Sequence, residues 1–358
     1  MAKRTKNRIV GLDLLRGFAI LLVILHHAWP DVLGSGGIVG VVAFFALSGY
    51  LITGILARDI DNHGRIAYGH FYRNRALRLL PALFLMLVFF SIYTFVANPF
   101  GDRDEIAPSL LIAVSYTANI PFDYGSPAIS HLWTLATEEQ FYLVWPLILT
   151  LGLRLRRLRH LVLLAAAGIV IVCVASIIVS APNVARVYSL PSSWAVAMVI
   201  GAGAKLGEGR IDALVAATRL SFRGLGVLAF VVLIVLSFVP EAKGSPATYL
   251  VGGPCVALLT MAVVFYMRAW VRVPSRLLWP LLALGTVSYS AYLWNWPITL
   301  WLGQYTDGLT RSVLSIMLTV VASTISWWAV EKPVARWKDR MDLRAHDAPG
   351  GVPTGTSA

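Results

Sequence analysis

Long apolar segments follow one another along almost the whole chain and restrict its fold more than any other feature. Of its 358 residues, 58% are hydrophobic and only 13% are charged, which is unlike a soluble domain. A helix that crosses a bilayer needs about 20 mostly apolar residues. Segments of this kind lie at 10–30, 37–56, 79–97, 135–153, 161–181, 190–206, 224–240, 249–267, 278–302 and 311–330. The sequence therefore predicts an all-α, polytopic bundle of about ten transmembrane helices.

The basic residues predict the orientation of these helices, because Lys and Arg near helix ends are retained in the cytoplasm. Residues 1–8 carry four basic side chains, and five arginines lie between residues 58 and 78. Counting the apolar segment 108–121 as a span would place the arginines of 154–159 outside, so we expect a re-entrant or surface helix there. Both termini are then cytoplasmic. This predicts a multi-pass protein of the cytoplasmic membrane.

The basic residues at the cytoplasmic ends of the helices account for the net charge of +12. Positive loops and anionic lipid headgroups explain such an excess without nucleic-acid binding. Cys173 and Cys255 lie in apolar segments without metal-ligand spacing, so neither a zinc site nor a disulfide is predicted.

We divide the chain into a cytoplasmic basic N-terminus at 1–8, a membrane domain at 9–337 and a disordered cytoplasmic tail at 338–358, where Gly, Pro, Ser and Thr accumulate.

Arg16 and His27 are ionisable residues within the first apolar segment. Such residues are costly in hydrocarbon and usually face a protein interior or a functional path. Eleven residues make about three helical turns, so both side chains project from one face about 16 Å apart along the axis. His26 points about 100° away from His27, and the register with Arg16 favours His27. We therefore expect Arg16 and His27 to be functional residues on this face of the helix.

Two further groups of polar residues lie at opposite ends of the spans. Arg73, Arg75 and Arg78 enter the third span from the cytoplasm, where they suit a clamp for phosphate oxygens, although ordinary positive-inside anchoring is the alternative. Glu138 and Glu139 lie inside the span that starts near residue 135. A structural ion pair with an arginine is one interpretation of these acids.

A carboxylate beside a neutral imidazole fixes its tautomer and stabilises the imidazolium that forms when it takes a proton. We therefore interpret His27 as a general base for a substrate hydroxyl, with Glu138 orienting it. A phosphorylated donor with a long thin arm would then bind the arginines and reach the imidazole from the other side. Histidine titrates near neutrality, which suits it to that role.

Six segments resemble, in order, the acyltransferase 3 family of integral-membrane O-acyltransferases. The first carries an Arg-x10-His signature at Arg16 and His27. The segments are 11–27, 44–52, 71–81, 131–142, 285–297 and 331–333. The resemblance covers roughly residues 9–337 and departs from the family at two places. Asn295 replaces a usual histidine and cannot exchange a proton at neutral pH, and segment 188–201 lacks an expected arginine, for which Arg186 is the nearest substitute.

The resemblance implies transfer of an acyl group, often acetyl, from acyl-CoA to a hydroxyl. Acyl-CoA is then a donor co-substrate, and no bound cofactor or metal is expected. By matching position, His27 is the catalytic histidine, Arg16 its partner, Arg75 and Arg78 phosphate contacts, and Glu138 one of the paired acids. We add Arg73 to the donor site. The residues assigned to acceptor binding are His131, Trp133, Glu139, Tyr142 and Asn295.

Three questions stay open at this point. His131 is alternatively a satisfied interface residue, and Trp133, Trp294 and Trp296 either stack on a substrate or pack in the bundle. The acceptor is an envelope glycan, a glycolipid or a macrolide-type metabolite. A membrane transporter or flippase is the alternative function, since ionisable residues in a bundle also mark substrate pathways, but the sequence has no evident internal repeat.

Overall fold

The computed structural model describes residues 9–120, 124–218, 221–240 and 243–347, and these contain helices and no strands. Short 3₁₀ segments lie in four connections, and two π-helical turns, Thr248–Gly252 and Trp327–Glu331, adjoin longer helices. The α-helices are α1 Val10–Ala28, α2 Gly36–His63, α3 Tyr68–Ala97, α4 Ile106–Val114, α5 Trp133–Arg154, α6 Leu158–Ser180, α7 Pro191–Leu206, α8 Glu208–Ala217, α9 Phe222–Ser237, α10 Gly253–Met267, α11 Trp279–Thr286, α12 Ser288–Leu302, α13 Gly308–Ser326 and α14 Lys332–Asp347.

Six helices in the described residues are long and apolar enough to cross a membrane, and two bent helix pairs raise the number to eight. The six are α1, α2, α3, α6, α10 with its π-turn, and α13 continued into α14. The bent pairs are α8 with α9 and α11 with α12. Helices α5 and α7 coincide with two more predicted spans but fall short of that combination of length and apolarity. The fold class is confirmed as all-helical with six to eight candidate spans, and ten stays a prediction.

The apolar segment at 108–121 does not form a spanning helix. Helix α4 has nine residues, which gives about 14 Å at 1.5 Å per residue. This is half of the roughly 30 Å hydrocarbon core. Turns follow α4 at 115–120. The structure therefore agrees with a re-entrant or surface helix at this position.

The C-terminal segment differs from the sequence prediction. Helix α14 runs to Asp347, so the part of the predicted disordered tail at 338–347 is helical. Its backbone continues from α13 through a π-turn, and lengthening an existing helix needs no new nucleus. The rest of that tail, 348–358, and the predicted N-terminal segment 1–8 lie outside the described residues.

Helix α2 lies in the centre of the bundle. In its most apolar stretch 78% of the residues are buried, compared with 11% in α6. Helices α1, α7 and α10 pack around α2, whereas α6 presents most of its surface outward. In a bilayer that outward surface faces lipid. The polar residues of α1, and those of α2 up to Thr53, therefore lie mostly inside the protein, whereas Arg58 and residues 61–63 at the end of α2 are exposed.

The predicted span at 278–302 is broken. Helices α11 and α12 meet at Val287 with a bend of 74°. Helix α1 passes very close to α11, because a Cβ on Gly17 would lie 2.0 Å from the carbonyl oxygen of Leu281, and one on Gly285 would lie 1.9 Å from that of Asp13. Only glycine permits this approach. The contact places the middle of α1 directly against the break.

Candidate active site

Arg16 and His27 line two different cavities. His27 lies in the wall of a cavity of about 650 Å³, here called the histidine cavity. Arg16 lies in the wall of a second cavity of about 270 Å³, here called the arginine cavity. Helix α1 runs past both, as the spacing of the two residues predicted. The predicted distance between Arg16 and His27 along α1 therefore places the two side chains in two separate cavities.

The imidazole of His27 is fixed by α12. Its Nδ1 lies 2.6 Å from Oδ1 of Asn295, and the Asn295 amide nitrogen donates to Oγ1 of Thr319 on α13. Because the amide nitrogen is used in that bond, its oxygen accepts from the His27 Nδ1–H. Nε2 then carries the lone pair, which is the tautomer that a general base requires. Asn295 is 1% exposed, so this arrangement is shielded from water.

The predicted pairing of Glu138 with His27 is wrong. Glu138 lines the arginine cavity, where it accepts a 2.6 Å hydrogen bond from Ser48 Oγ on α2. Asn295 occupies the orienting position instead, and it lines neither cavity, so it is not placed for acceptor binding. The pairing depends on how α5 and α12 pack against α1. Spacing within one helix does not report on that packing.

Aromatic and histidine side chains surround His27. The Trp296 ring lies 4.8 Å from the His27 ring, and its Nε1 donates to the Pro127 carbonyl and to Ser130 Oγ. Trp133 also lines the histidine cavity and packs against Tyr188. These two indoles are placed for stacking on a substrate. Trp294 instead faces a different groove next to Phe89.

His131 and His26 line the same cavity in different states. His131 is 6% exposed, and its ring nitrogens make no hydrogen bond of good geometry among the described residues, although the backbones of Leu293 and Ala128 interact with the ring. His26 bonds through Nδ1 to the Leu33 carbonyl at 2.8 Å, so it ties α1 to the following turn. A buried polar group with incomplete hydrogen bonding needs an explanation, and a bound substrate supplies one. His131 is thus available to a ligand, and His26 has a structural contact.

The arginine cavity contains permanent positive charge. Arg16 donates to Ser288 Oγ at 2.8 Å, at the break between α11 and α12. Arg78 is exposed to the cavity, and the Arg75 guanidinium lies 3.6 Å from the centre of the Tyr142 ring. The four arginines among the described residues that line it are Arg16, Arg58, Arg75 and Arg78. Such a group suits the oxygens of a phosphorylated ligand.

Three sequence predictions are corrected by this arrangement. Arg73 is exposed and does not line the arginine cavity, because it lies two and five residues from Arg75 and Arg78 on another face of α3. Tyr142 lines the arginine cavity rather than the acceptor side. Glu139 lies 4.0 Å from Nε of Arg75 and lines neither cavity. It therefore fits the ion-pair interpretation better than acceptor binding.

Tyr292 and Val41 belong to both cavities. The Tyr292 hydroxyl accepts a 2.6 Å hydrogen bond from Thr134 and donates a 2.7 Å bond to the His131 carbonyl. The two chambers are therefore adjacent and share a thin wall that α12 and α2 provide. Sequence reasoning did not single out Tyr292. The available signals were its position three residues before Asn295 and its place in the family-like segment 285–297.

Other residues were also missed or fall outside the site. Ser48 bonds to Glu138, and Ser288 bonds to Arg16. Arg186 is exposed and lines neither cavity, so it does not replace the missing family arginine. In the described part of the chain no three His, Cys, Asp or Glu side chains are grouped to hold a metal ion.

Known proteins resemble this chain over almost its whole length. YrhL of Bacillus subtilis is 30% identical over 91% of this chain and 55% of its own length. The O-acetyltransferase OatA of Staphylococcus aureus is 28% identical over 91% and 57%, and the peptidoglycan O-acetyltransferase OatA of Listeria monocytogenes is 28% identical over 93% and 56%. The chain thus spans little more than half the length of these relatives. No solved structure matches it.

A family model of the acyltransferase domain gives the assignment directly. It matches residues 9–331 of the 358 in the chain. The match includes α1 with Arg16 and His27, the arginines of α3, and α12 with Asn295. It ends at Glu331, before α14. The chain therefore belongs to the acyltransferase 3 family.

Proposed function

We propose that this protein is an integral-membrane O-acyltransferase that moves an acetyl group from acyl-CoA to a hydroxyl of a cell-envelope glycan. One observation carries the proposal. A cavity lined by arginines and a cavity containing an oriented histidine share a wall at Val41 and Tyr292. The relatives named as O-acetyltransferases support acetyl as the group transferred, and the name of the Listeria protein supports peptidoglycan as the acceptor.

The arginine cavity is proposed to bind the donor. Phosphate oxygens of acyl-CoA would contact Arg75 and Arg78, with Arg16 and Arg58 completing the positive wall. Guanidinium groups give charge-assisted, bidentate hydrogen bonds to phosphate. Glu138, held by Ser48, would offset part of this charge and position the arginines. The long arm of the donor would extend past Tyr292 toward the histidine cavity.

The histidine cavity is proposed to bind the acceptor. Nε2 of His27 takes the proton from the acceptor hydroxyl while that oxygen attacks the thioester carbonyl. The tetrahedral intermediate then collapses, the carbon–sulfur bond breaks, and the imidazolium returns the proton to the departing thiolate. Asn295 keeps Nδ1 protonated throughout. The products are an acetyl ester and free CoA.

The orientation in the membrane follows from the same assignment. We propose ten spans, counting α5 and α7, with both termini in the cytoplasm. The arginine cavity then faces the cytoplasm, where acyl-CoA is made, and the histidine cavity faces the opposite side, where the envelope glycan lies. The distribution of basic residues supports this orientation.

The test is transfer of labelled acetyl from acetyl-CoA to peptidoglycan glycan strands by the full chain in proteoliposomes. His27→Ala should lower the rate by about 10²- to 10⁴-fold, the usual contribution of a general base. His160→Ala is the matched control, because His160 is exposed at the start of α6 and lines neither cavity.

Equal label with wild type and His27→Ala, at matched folded amounts, would contradict the role of His27. Movement of the glycan across the membrane without any acetyl-CoA-dependent label would favour the transporter alternative instead.

A further inference from the structure

The wall of the histidine cavity contains two cations and, among the described residues, no carboxylate. Lys243 lies in the connection that precedes α10, and Arg311 lies in the first turn of α13. Aspartates occur nearby at Asp31 and Asp307, but neither lines the cavity. The part of this wall that the structure describes is therefore positive.

Both cations are unusual for their place in the chain. In the proposed orientation they lie on the side of the membrane where Lys and Arg are normally scarce. Positive-inside anchoring therefore does not explain the presence of Lys243 and Arg311. Binding of an anionic ligand does explain it, because a concave, positively charged wall concentrates anions.

The Lys243 side chain is held toward the cavity. Its ammonium lies 4.4 Å from the centre of the Tyr188 ring, and Tyr188 lines the same wall. The Tyr249 hydroxyl donates a 2.6 Å hydrogen bond to the Lys243 carbonyl, which fixes the backbone. Lys243 and His27 line the same cavity. A group bound at Lys243 therefore lies in the same chamber as the imidazole.

Arg311 and His131 supply the other contacts. The guanidinium of Arg311 makes no ion pair with Asp307, four residues earlier, and is half-buried in the wall. His131 is buried, and neither ring nitrogen makes a hydrogen bond of good geometry among the described residues, although the backbones of Leu293 and Ala128 interact with the ring. A buried imidazole with incomplete hydrogen bonding, in a wall that also presents two cations, indicates a polar ligand there.

We propose that this cavity selects an anionic acceptor: a sugar that carries a carboxylate or phosphate close to the hydroxyl that is acylated. The anion binds Lys243 and Arg311, His131 bonds to a neighbouring polar atom of the sugar, and the hydroxyl then points to His27. The inference rests on the proposed function, because it names the class of acceptor at the same site.

The experiment compares three acceptors in proteoliposomes with acetyl-CoA. They are an oligosaccharide of alternating N-acetylglucosamine and N-acetylmuramic acid with free lactyl carboxylates, its methyl ester, and an N-acetylglucosamine oligomer with a terminal phosphate. Wild type should have a kcat/KM about tenfold higher for the carboxylate than for its ester, the scale of one charge-assisted hydrogen bond. The phosphate oligomer shows whether phosphate serves as well as carboxylate.

The variants Lys243→Gln and Arg311→Gln should each lower the ratio of kcat/KM for acid over ester several-fold, and the double variant should bring it near one. Lys243→Arg should restore the ratio. Arg186→Gln, an exposed change outside the cavity wall, should keep it. The preference should also weaken at high salt, as a charge interaction at a solvent-accessible wall does.

Equal turnover of acid and ester by wild type would overturn the proposal while leaving the acetyltransferase function intact. So would a rise in the KM for acetyl-CoA in the Gln variants, because the cations would then serve the donor. Absence of transfer to every acceptor would instead overturn the proposed function itself.

Discussion

The two cavities beside α1 differ in the groups that surround their ionisable α1 residues. The arginine cavity is lined by four guanidiniums among its described residues, whereas His27 in the other cavity is held by a neutral amide. A proton-transfer step creates a positive imidazolium, which nearby fixed cations would disfavour. A separation of about 16 Å along α1 keeps Arg16 away from that step. The comparison indicates that binding of the donor phosphates and proton transfer are assigned to different chambers, although Lys243 and Arg311 also line the histidine cavity.

After the loss of His27 itself, the largest expected change comes from removing the charge of the arginine cavity. Arg75→Gln combined with Arg78→Gln should raise the KM for acetyl-CoA at least about 100-fold, because each hydrogen bond between charged groups contributes about 1.5–3 kcal/mol. Steady-state kinetics with varied acetyl-CoA measures this. Arg73→Gln is the matched control, since Arg73 lies on the same helix outside the cavity. An equal rise in that control would mean that general surface charge, and not the cavity, attracts the donor.

A smaller effect is expected when the neutral partner of His27 is removed. Asn295→Leu should lower kcat about tenfold, the scale of one lost buried hydrogen bond, with little change in the KM for acetyl-CoA. Asn295→His, which supplies the residue that the family usually carries, should restore part of the rate. A full kcat in Asn295→Leu would show that the imidazole needs no orienting group. A loss confined to the KM for acetyl-CoA would assign Asn295 to the donor instead.

A substitution in the wall between the cavities should have a weaker effect on activity. Tyr292→Phe keeps the ring but loses the bonds to Thr134 and the His131 carbonyl. We expect a few-fold rise in acceptor-independent hydrolysis of acetyl-CoA relative to transfer, because water reaches the thioester through a looser wall. Tyr289→Phe is the control. Among the described residues its hydroxyl bonds only to the Leu79 carbonyl, and it lines the arginine cavity but not the histidine cavity. An unchanged ratio in Tyr292→Phe would indicate that Val41 and the ring seal the wall.

A charged cluster that belongs to neither cavity should affect stability and leave catalysis almost unchanged. Partial burial opposes ionisation of Glu208, but hydrogen bonds from Lys205 and Tyr50 and the charge of Arg268 outweigh it and hold its pKa below the usual range. The carboxylate therefore stabilises the fold at neutral pH, and this contribution is lost as pH falls below about 4, through the lowered pKa.

Thermal unfolding of detergent-solubilised Glu208→Gln against wild type checks this expectation. The difference in Tm should be present at pH 7 and shrink as the pH is lowered toward 3. A difference that stays constant over this range would mean that the loss is one of packing and not of charge.

The first helix could be predicted because its geometry is local. The separation of Arg16 and His27 follows from 100° per residue, and both side chains line cavities as expected. The entry of Arg75 and Arg78 into a phosphate-suited cavity follows the same logic, since they lie three residues apart on α3. Arg75 and Arg78 were therefore predictable from single-helix periodicity together with the family resemblance, whereas the places of Glu138 and Tyr142 in this cavity were not.

The histidine cavity was less predictable because its contacts join helices distant in sequence. Asn295 is separated from His27 by 268 positions, and no periodicity within α1 or α12 indicates their register. The break at Val287 has no proline at the bend and was hidden within an apolar run, although Gly285 beside it marks the close approach of α1. Glu138 was assigned to the wrong cavity for the same reason. Tertiary packing decides these positions.

The most direct test of the proposal that donor and acceptor bind on opposite sides of the membrane is to determine the side from which acetyl-CoA must be supplied. The full chain is reconstituted in sealed vesicles of known orientation, with acetyl-CoA, which does not cross the membrane, supplied on one side and a glycan acceptor on the other. Transfer should occur when acetyl-CoA is on the side of the N-terminus and the arginine cavity, and stop when donor and acceptor are exchanged. Equal transfer in both arrangements, or transfer only with acetyl-CoA on the side of His27, would contradict the division of labour between the two cavities.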